Sequence, residues 1–357
     1  MPLFFLSFLF LSAFSYADDY PVQPYFIFDS FSYSETVSIK STIKDSWKNS
    51  DFESGERQWT WNWLEVGVQY KNWGIGYIKR YDYDMRFSEQ TAEFFWLTKN
   101  KKDLPIGKKY SLDLQANAIH SSGLRVSYSD SFMESFDYQI GLSYLQATYS
   151  LDGKIKGDAT ATSDSDYDFD ATVDYAYTED HLFERNVQEP EGQGFSLDFM
   201  FNYQVTAEVY WQLQVRDLFA RLYWENSPYT EGHATSDRKE YDENGYVSFN
   251  PVLQGYEGTR DVYVQTLEPR WYSKVGYDLN RSNAITGQVR YQYGHALYSI
   301  GVDHVLTLNS RLGINYWPIN RSVELNWNYY KVKLAVSTDA LSVSDMKTFW
   351  LSFSYGL

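Results

Sequence analysis

The stretch Ile75 to Phe87 sets Ile75, Tyr77, Tyr81, Tyr83, Met85 and Phe87 against Arg80, Asp82, Asp84 and Arg86 at the positions between. Successive side chains of a β-strand point to opposite faces, so this segment has one greasy face and one ionic face. A soluble sheet rarely needs that contrast. The same period recurs in Leu112, Leu114, Ala116 and Ala118 against Asp113, Gln115 and Asn117, and in Phe136, Tyr138, Ile140 and Leu142 against Asp137 and Gln139. It returns in Phe195, Leu197, Phe199, Phe201 and Tyr203 against Ser196, Asp198, Asn202 and Gln204, and in Val209, Trp211, Leu213 and Val215 against Glu208, Gln212, Gln214 and Arg216. No segment sustains a 3.6-residue period, so the chain reads as β from about Tyr25 to its end.

Short polar segments with Gly, Pro or Asn separate the runs, at Lys71 to Gly74, Ser121 to Gly123, Leu279 to Asn283 and Pro318 to Ser322. Turns this short imply antiparallel neighbours. Two longer connections, 152–191 and 225–261, are strongly acidic. The first has 12 acidic and 3 basic residues and the second 8 and 3, so they carry −9 and −5 of the net −16. Tyr167 to Tyr177 has the pattern to extend a hairpin within the first. Tyr25 to Ile43 reads as one strand or two, and the change of phase at Tyr329 and Tyr330 reads as a bulge or a tight turn.

The chain holds 33 Tyr, 23 Phe and 12 Trp and no Cys. A soluble domain would have to hide so many rings, whereas a membrane barrel displays them to lipid and at both interfaces. Disulfides are excluded, which leaves backbone pairing and packing to hold the fold. Residues Leu3 to Leu11 are apolar, and Ser15, Tyr16 and Ala17 have the small-residue pattern of a signal cleavage site. The expectation is a signal peptide at 1–17 and a single barrel domain at 18–357. The fold expected is an all-β, transmembrane, antiparallel up-and-down barrel of about 14 strands, within a range of roughly 12 to 16, with 152–191 and 225–261 as external loops.

At the C-terminus Phe349, Leu351, Phe353, Tyr355 and Leu357 alternate with Trp350, Ser352, Ser354 and Gly356. This resembles the terminal strand of Gram-negative outer-membrane β-barrels. The resemblance implies residence in the outer membrane, contact with its lipid and lipopolysaccharide, and recognition of this strand by the outer-membrane assembly machinery. It departs from that class at the final residue, Leu357 where Phe is usual.

Candidate chemistry follows from the polar face. Arg80, Asp82, Asp84 and Arg86, with Arg216, Glu268, Arg270, Lys274 and Arg290, are expected to line the lumen. They would either define the field of a porin-like pore or pair with one another to fill a closed interior. Asp164, Asp166, Asp168 and Asp170 share one face of an extended segment and could hold a hard cation, but Phe169 and Tyr175 stand where a calcium loop needs Gly and Glu. His120 and Ser122 have a spacing similar to the His-x-Ser of outer-membrane phospholipases and deacylases, with no evident acid to orient the imidazole. His181, His233, His295 and His304 have no ligand spacing. Lys99, Lys101, Lys102, Lys108 and Lys109 form a basic cluster that reads as a lipid-phosphate contact or as a solvated turn. Nucleic-acid binding is disfavoured by the acidic balance, and no cofactor is expected. The function expected is passive transport through the barrel, with the external loops as a partner- or polysaccharide-binding surface as the alternative and an enzyme third.

Overall fold

The computed structural model describes residues 22–45, 47–180, 186–187, 190–248 and 252–356. The expected signal peptide, His181 and Leu357 lie outside them.

The chain runs through β1 (Val22–Ser34), β2 (Arg57–Tyr70), β3 (Trp73–Phe87), helix α1 (Glu89–Lys99), β4 (Lys109–Ser131), β5 (Phe136–Ala161), β6 (Tyr167–Tyr177), β7 (Gly192–Gln204), β8 (Val209–Thr235), β9 (Glu240–Tyr241) and β10 (Val247–Ser248). It continues through β11 (Val252–Thr266), β12 (Arg270–Asn280), β13 (Asn283–Gln292), β14 (His295–Thr307), β15 (Ser310–Trp317), β16 (Ser322–Tyr329), β17 (Val332–Thr338) and β18 (Thr348–Tyr355). Fourteen of these strands, β1–β5, β7, β8 and β12–β18, pair antiparallel in one closed ring. Closure is made by β18 against β1, from Phe26↔Tyr355 to Tyr33↔Thr348.

The outer wall is apolar in a continuous belt. Val66, Val68, Ile75, Leu124, Val126, Ile140, Leu142, Ile285, Val289, Ile300, Val302, Ile314 and Leu325 are all exposed. Tyr70, Trp73, Tyr277 and Tyr329 mark the end that carries the shortest turns. A monomeric soluble protein rarely exposes an apolar surface this extensive, and the belt with its aromatic margin is the exterior of a membrane barrel. Among the described residues no helix is long and apolar enough to cross a membrane.

The wall is uneven in height. On one side β4, β5 and β8 run 23, 26 and 27 residues, while β15 to β18 run only 7 or 8. The tall strands rise past the ring and recruit β6 between β5 and β8, with β11 on the far edge of β8. Much of the two acidic connections is therefore ordered sheet above the barrel, and β6 is the anticipated hairpin extension. Helix α1 is stopped at its N-terminus by Ser88, whose hydroxyl accepts from the Thr91 N–H, and it rests beside β4.

Ser121 to Gly123 lies in the middle of β4 and makes no turn. Its glycine answers a different need. A Cβ on Gly123 would come within 1.9 Å of the Tyr144 carbonyl oxygen, so glycine here permits close approach of two strands. The turns at Lys71, Arg281 and Pro318 are present, Tyr25 belongs to the single strand β1, and the change of phase at Tyr329 is a tight turn through Tyr330 and Lys331.

One strand position of the ring is interrupted. Both β11 and β12 pair with β8, β11 above and β12 below, and the break at Leu267–Pro269 faces a kink in β8. Asp217 and Phe219 have left-handed backbones there, with φ of 63° and 61°. The kink turns Phe219 out, at 80% exposure, and Asp217 fully inward.

Candidate functional site in the barrel lumen

Strand alternation carries polar side chains inward on most of the ring, and β1 and β2 add large rings. Trp59, Trp61 and Trp63 all face inward and are buried, the first two beside Phe31. The expected display of aromatic residues toward lipid thus describes only part of their use: the tryptophans of β2 lie inside the barrel. Phe31 stacks on Trp61 at 4.3 Å, and Leu297 and Trp317 pack on the same cluster from across the lumen.

At mid-height lies a square of two arginines and two aspartates. Arg80 donates to Asp217 from Nη1 at 2.6 Å and from Nη2 at 2.8 Å, and to Asp82 from Nε at 2.9 Å. Arg270 stands 3.6 Å from Asp217 and 3.8 Å from Asp82. Ser196 donates to Asp217 at 2.9 Å. Indole faces lie against both guanidinium groups of the square, Trp63 beside Arg80 and Trp61 beside Arg270 at 4.7 Å, and Trp63 also lies beside Arg216. Arg80 is 2% exposed and Asp217 0%, so the square is shut off from both mouths.

Layers above and below continue the pattern. Toward the short turns Arg125 binds Glu65 and Asp198 at 3.2 and 3.0 Å, and Lys274 binds Asp303 at 2.9 Å. Arg216 reaches Asp29 at 3.3 Å, and Arg290 reaches Glu324 at 3.4 Å while lying 3.7 Å from the Trp350 ring. Toward the tall side Asp84 lies between Arg57 and Arg86, at 3.7 and 3.0 Å. Counting these partners, eight cations (Arg57, Arg80, Arg86, Arg125, Arg216, Arg270, Lys274, Arg290) meet eight carboxylates (Asp29, Glu65, Asp82, Asp84, Asp198, Asp217, Asp303, Glu324). Matched neighbours fill a space; a pore field would need the two signs set on opposite walls.

Strands that are not neighbours in the ring touch through this filling. Trp59 of β2 donates to Gln292 of β13 at 3.1 Å, Arg57 donates to the Tyr293 carbonyl, and Arg216 of β8 meets Asp29 of β1. The tight β13–β14 turn makes the first two possible, because Tyr293 and Gly294 both take positive φ and fold the turn inward. Two cavities of about 340 Å³ each remain near the short-turn end. One is lined by Ser129, Asp137, Gln139 and Asn202 and the other by Glu208, Asn280, Asp303 and Arg311.

Of the residues expected in the lumen, Arg80, Asp82, Asp84, Arg86, Arg216, Arg270, Lys274 and Arg290 face inward within the paired layers. Glu268 is different: it sits half-buried in the break between β11 and β12, where its carbonyl accepts from Gln292. Arg125, Glu65, Asp303 and Glu324 join the site from strands with the same alternation, each standing between two apolar or outward neighbours. Asp217 could not be found that way, because the kink sets it and Arg216 on the same side.

The other candidates fall outside the lumen. His120 and Ser122 point outward from β4; the His120 ring stacks between Tyr81 at 4.2 Å and Tyr149 at 4.5 Å. Among the described residues no carboxylate hydrogen-bonds that imidazole. In the outer sheet Lys239 Nζ lies 2.8 Å from Asp166 and 2.7 Å from Asp168, Asp170 contacts His233, and the Asp164 carbonyl accepts from the Leu104 N–H. Burial would raise the Asp166 pKa, but hydrogen bonds from Lys239 and Tyr241 outweigh it and hold the carboxyl below its ordinary range. In the lysine cluster Lys101 meets Asp242, Lys108 meets Glu93 at 2.7 Å and Lys109 meets Asp158 at 3.0 Å. Phe349, Leu351, Phe353 and Tyr355 face outward opposite Ser32, Ser30, Phe28 and Phe26.

No protein-family model and no curated protein matches the chain. Solved structures that resemble it are outer-membrane barrels. The Pseudomonas putida toluene transporter TodX is 10% identical, with 94% of this chain and 90% of that chain covered and a TM-score of 0.41. The deltaS2S3 mutant of the TodX monoaromatic hydrocarbon channel is 9% identical over the same shares, with a TM-score of 0.45. The β domain of the Bordetella autotransporter BrkA is 11% identical, with 94% and 100% covered and a TM-score of 0.31.

Proposed function

We propose that this chain is an outer-membrane transport barrel that rests closed and conducts only when its mid-lumen ion-pair layer parts. The observation that carries the reading is the composition of that layer. A lumen that only had to be sealed would be sealed as well by packed apolar side chains, since replacing buried ion pairs with such residues is often neutral or stabilising. Here the barrier is ionic, charge-balanced and incompletely bonded. Among the described residues none of the Arg270 side-chain nitrogens has a hydrogen-bond partner, and Asp82 Oδ1 lacks one too. Such groups are solvated at little cost once water enters, which makes the layer separable in a way a hydrocarbon core is not. The two cavities on the short-turn side would receive a solute below it.

The test is single-channel recording of the refolded barrel in a planar bilayer. Wild type is expected to stay mostly closed with rare brief steps, and Arg270→Ala to raise the open fraction. If both remain silent while migrating as folded barrels, transport is the wrong reading.

A second reading is supported by the outer sheet, whose β11 exposes Tyr256 at 77% on an edge with no partner strand among the described residues. In that case the barrel anchors a partner-binding platform. Replacing Tyr256 with alanine would then weaken partner binding and leave membrane insertion intact.

A further inference from the structure

The charge pairing that fills the lumen stops short of its short-turn mouth. Four inward positions on adjacent strands form a row there: Arg311 of β15 lies across from Asn328 of β16, Asn328 from Lys333 of β17, and Lys333 from Ser354 of β18. Their chain neighbours Leu312, Trp327, Leu334 and Phe353 point the other way, to lipid. Every side chain of the row donates hydrogen bonds, and none is a carboxylate. Among the described residues no hydrogen bond or salt bridge engages the head of Arg311 or of Lys333, whereas the cations deeper in the lumen meet carboxylates. Lys333 is exposed although its strand position faces the lumen, so water reaches the barrel interior at this level.

Gly313, Asn326, Ala335 and Ser352 occupy the next inward positions of the same four strands, so mostly small side chains stand above the donors. Two strand spacings of about 4.8 Å put the backbones of Arg311 and Lys333 about 10 Å apart. Each side chain reaches about 6 Å, which lets both heads converge on one anionic group with the Asn328 amide beneath it. Two cations on one group match a phosphate monoester, with up to about two charges and three free oxygens, better than a carboxylate. Arg311 also lines one of the cavities of about 340 Å³, and its guanidinium lies 5.9 Å from the Tyr210 ring. Glu208 and Asp278 line the same cavity, where they accept hydrogen bonds from hydroxyl groups and repel a second anion.

We infer that the short-turn mouth binds the phosphate monoester of a small hydroxylated molecule such as a sugar. Arg311, Asn328 and Lys333 hold the phosphate, and the neutral body lies in the cavity beside Arg311. The inference rests on the transport reading, whose solute it names.

The experiment is isothermal titration of the purified barrel in detergent with glucose 6-phosphate, glucose and inorganic phosphate, after heat-dependent gel mobility has shown each variant to be folded. Wild type is expected to bind glucose 6-phosphate more tightly than glucose or inorganic phosphate. Arg311→Gln and Lys333→Gln should each weaken that binding about tenfold, while Lys109→Gln in the outer sheet should leave it unchanged. Glucose that binds as tightly as its ester, or ester binding that survives the double variant, overturns the inference. Inorganic phosphate binding as tightly as the ester overturns it as well, because the cavity then contributes nothing, and so does an ester that fails to bind. Ester binding by a barrel that stays silent in the planar bilayer supports the site and removes the transport reading; conductance without ester binding does the reverse.

Discussion

Replacing Arg80 with alanine removes the hub of the mid-lumen layer. Arg80 makes hydrogen bonds of 2.6 and 2.8 Å to Asp217 and of 2.9 Å to Asp82. With charge centres about 4 Å apart and an effective dielectric near 20, each pair contributes about 4 kcal/mol of gross attraction, or about 8 kcal/mol for the two. Relief of the guanidinium desolvation returns several kcal/mol of that. Arg270, 3.6 Å from Asp217, retains part of the field on the abandoned carboxylates. The net cost expected for Arg80→Ala is about 3–5 kcal/mol, chiefly because Asp217 is left buried and short of its main partner. Removing the stranded charge as well, in Arg80→Ala with Asp217→Asn, should reduce the cost to about 1–2 kcal/mol, a coupling above about 1.5 kcal/mol. Urea unfolding of the barrel in lipid vesicles, followed by tryptophan fluorescence, measures these two variants and Asp217→Asn alone against wild type. A loss below about 1 kcal/mol for Arg80→Ala, or additive costs in the double variant, would refute the account of the layer as a coupled unit.

Other consequences are open to simpler assays. Phe353→Arg puts a cation on the lipid face of β18 and should cost about 2–4 kcal/mol and most of the folding yield, whereas Thr162→Arg at the tip of the outer sheet should stay within about 0.5 kcal/mol; equal tolerance would remove the lipid-facing assignment. Millimolar calcium should leave the melting of wild type unchanged, because Lys239 already sits between Asp166 and Asp168, and Lys239→Ala should gain a calcium-dependent rise; a rise in wild type would contradict this. Asp166 has its carboxyl pKa lowered in the folded state, so its contact with Lys239 stabilises fully above the ordinary carboxylate range and is lost as pH falls through the lower folded value. Limited proteolysis between β9 and β10 should accordingly increase only below about pH 4; cleavage that increases as pH rises toward neutrality would show the sign to be wrong.

Alternation carried most of the fold. It located β3, β4, β5, β7 and β8, assigned their inner and outer faces, and supported the strand number of 14, because each test was local: one residue in, the next out. It failed where the rule has two solutions. In β2 the run Trp59, Trp61, Trp63 alternates with Thr60 and Asn62, and a greasy-outward reading would face the tryptophans to lipid. The cross-lumen partners Leu297, Gln292 and Arg216 draw them inward, and no local pattern contains that information. Asp217 was hidden by a left-handed backbone at a non-glycine residue, which shifts parity without a glycine to mark it. Gly123 misled in the opposite direction, since a glycine between polar residues suggests a turn although here it admits a neighbouring carbonyl. The pairing of cations with carboxylates across the lumen depends on which strands face one another after closure. Mutual pairing therefore stood beside a pore field as an open alternative in the sequence, and which cation meets which carboxylate could not be read from it.

The central claim, a closed β-barrel lying in the outer membrane, is tested most directly by fractionating cells that express the protein and comparing unheated with boiled membrane samples by electrophoresis. The expected result is recovery with outer membranes after a urea wash and faster migration before boiling than after it. Protein that stays in the soluble fraction without detergent, or migrates identically in both samples, would contradict the claim.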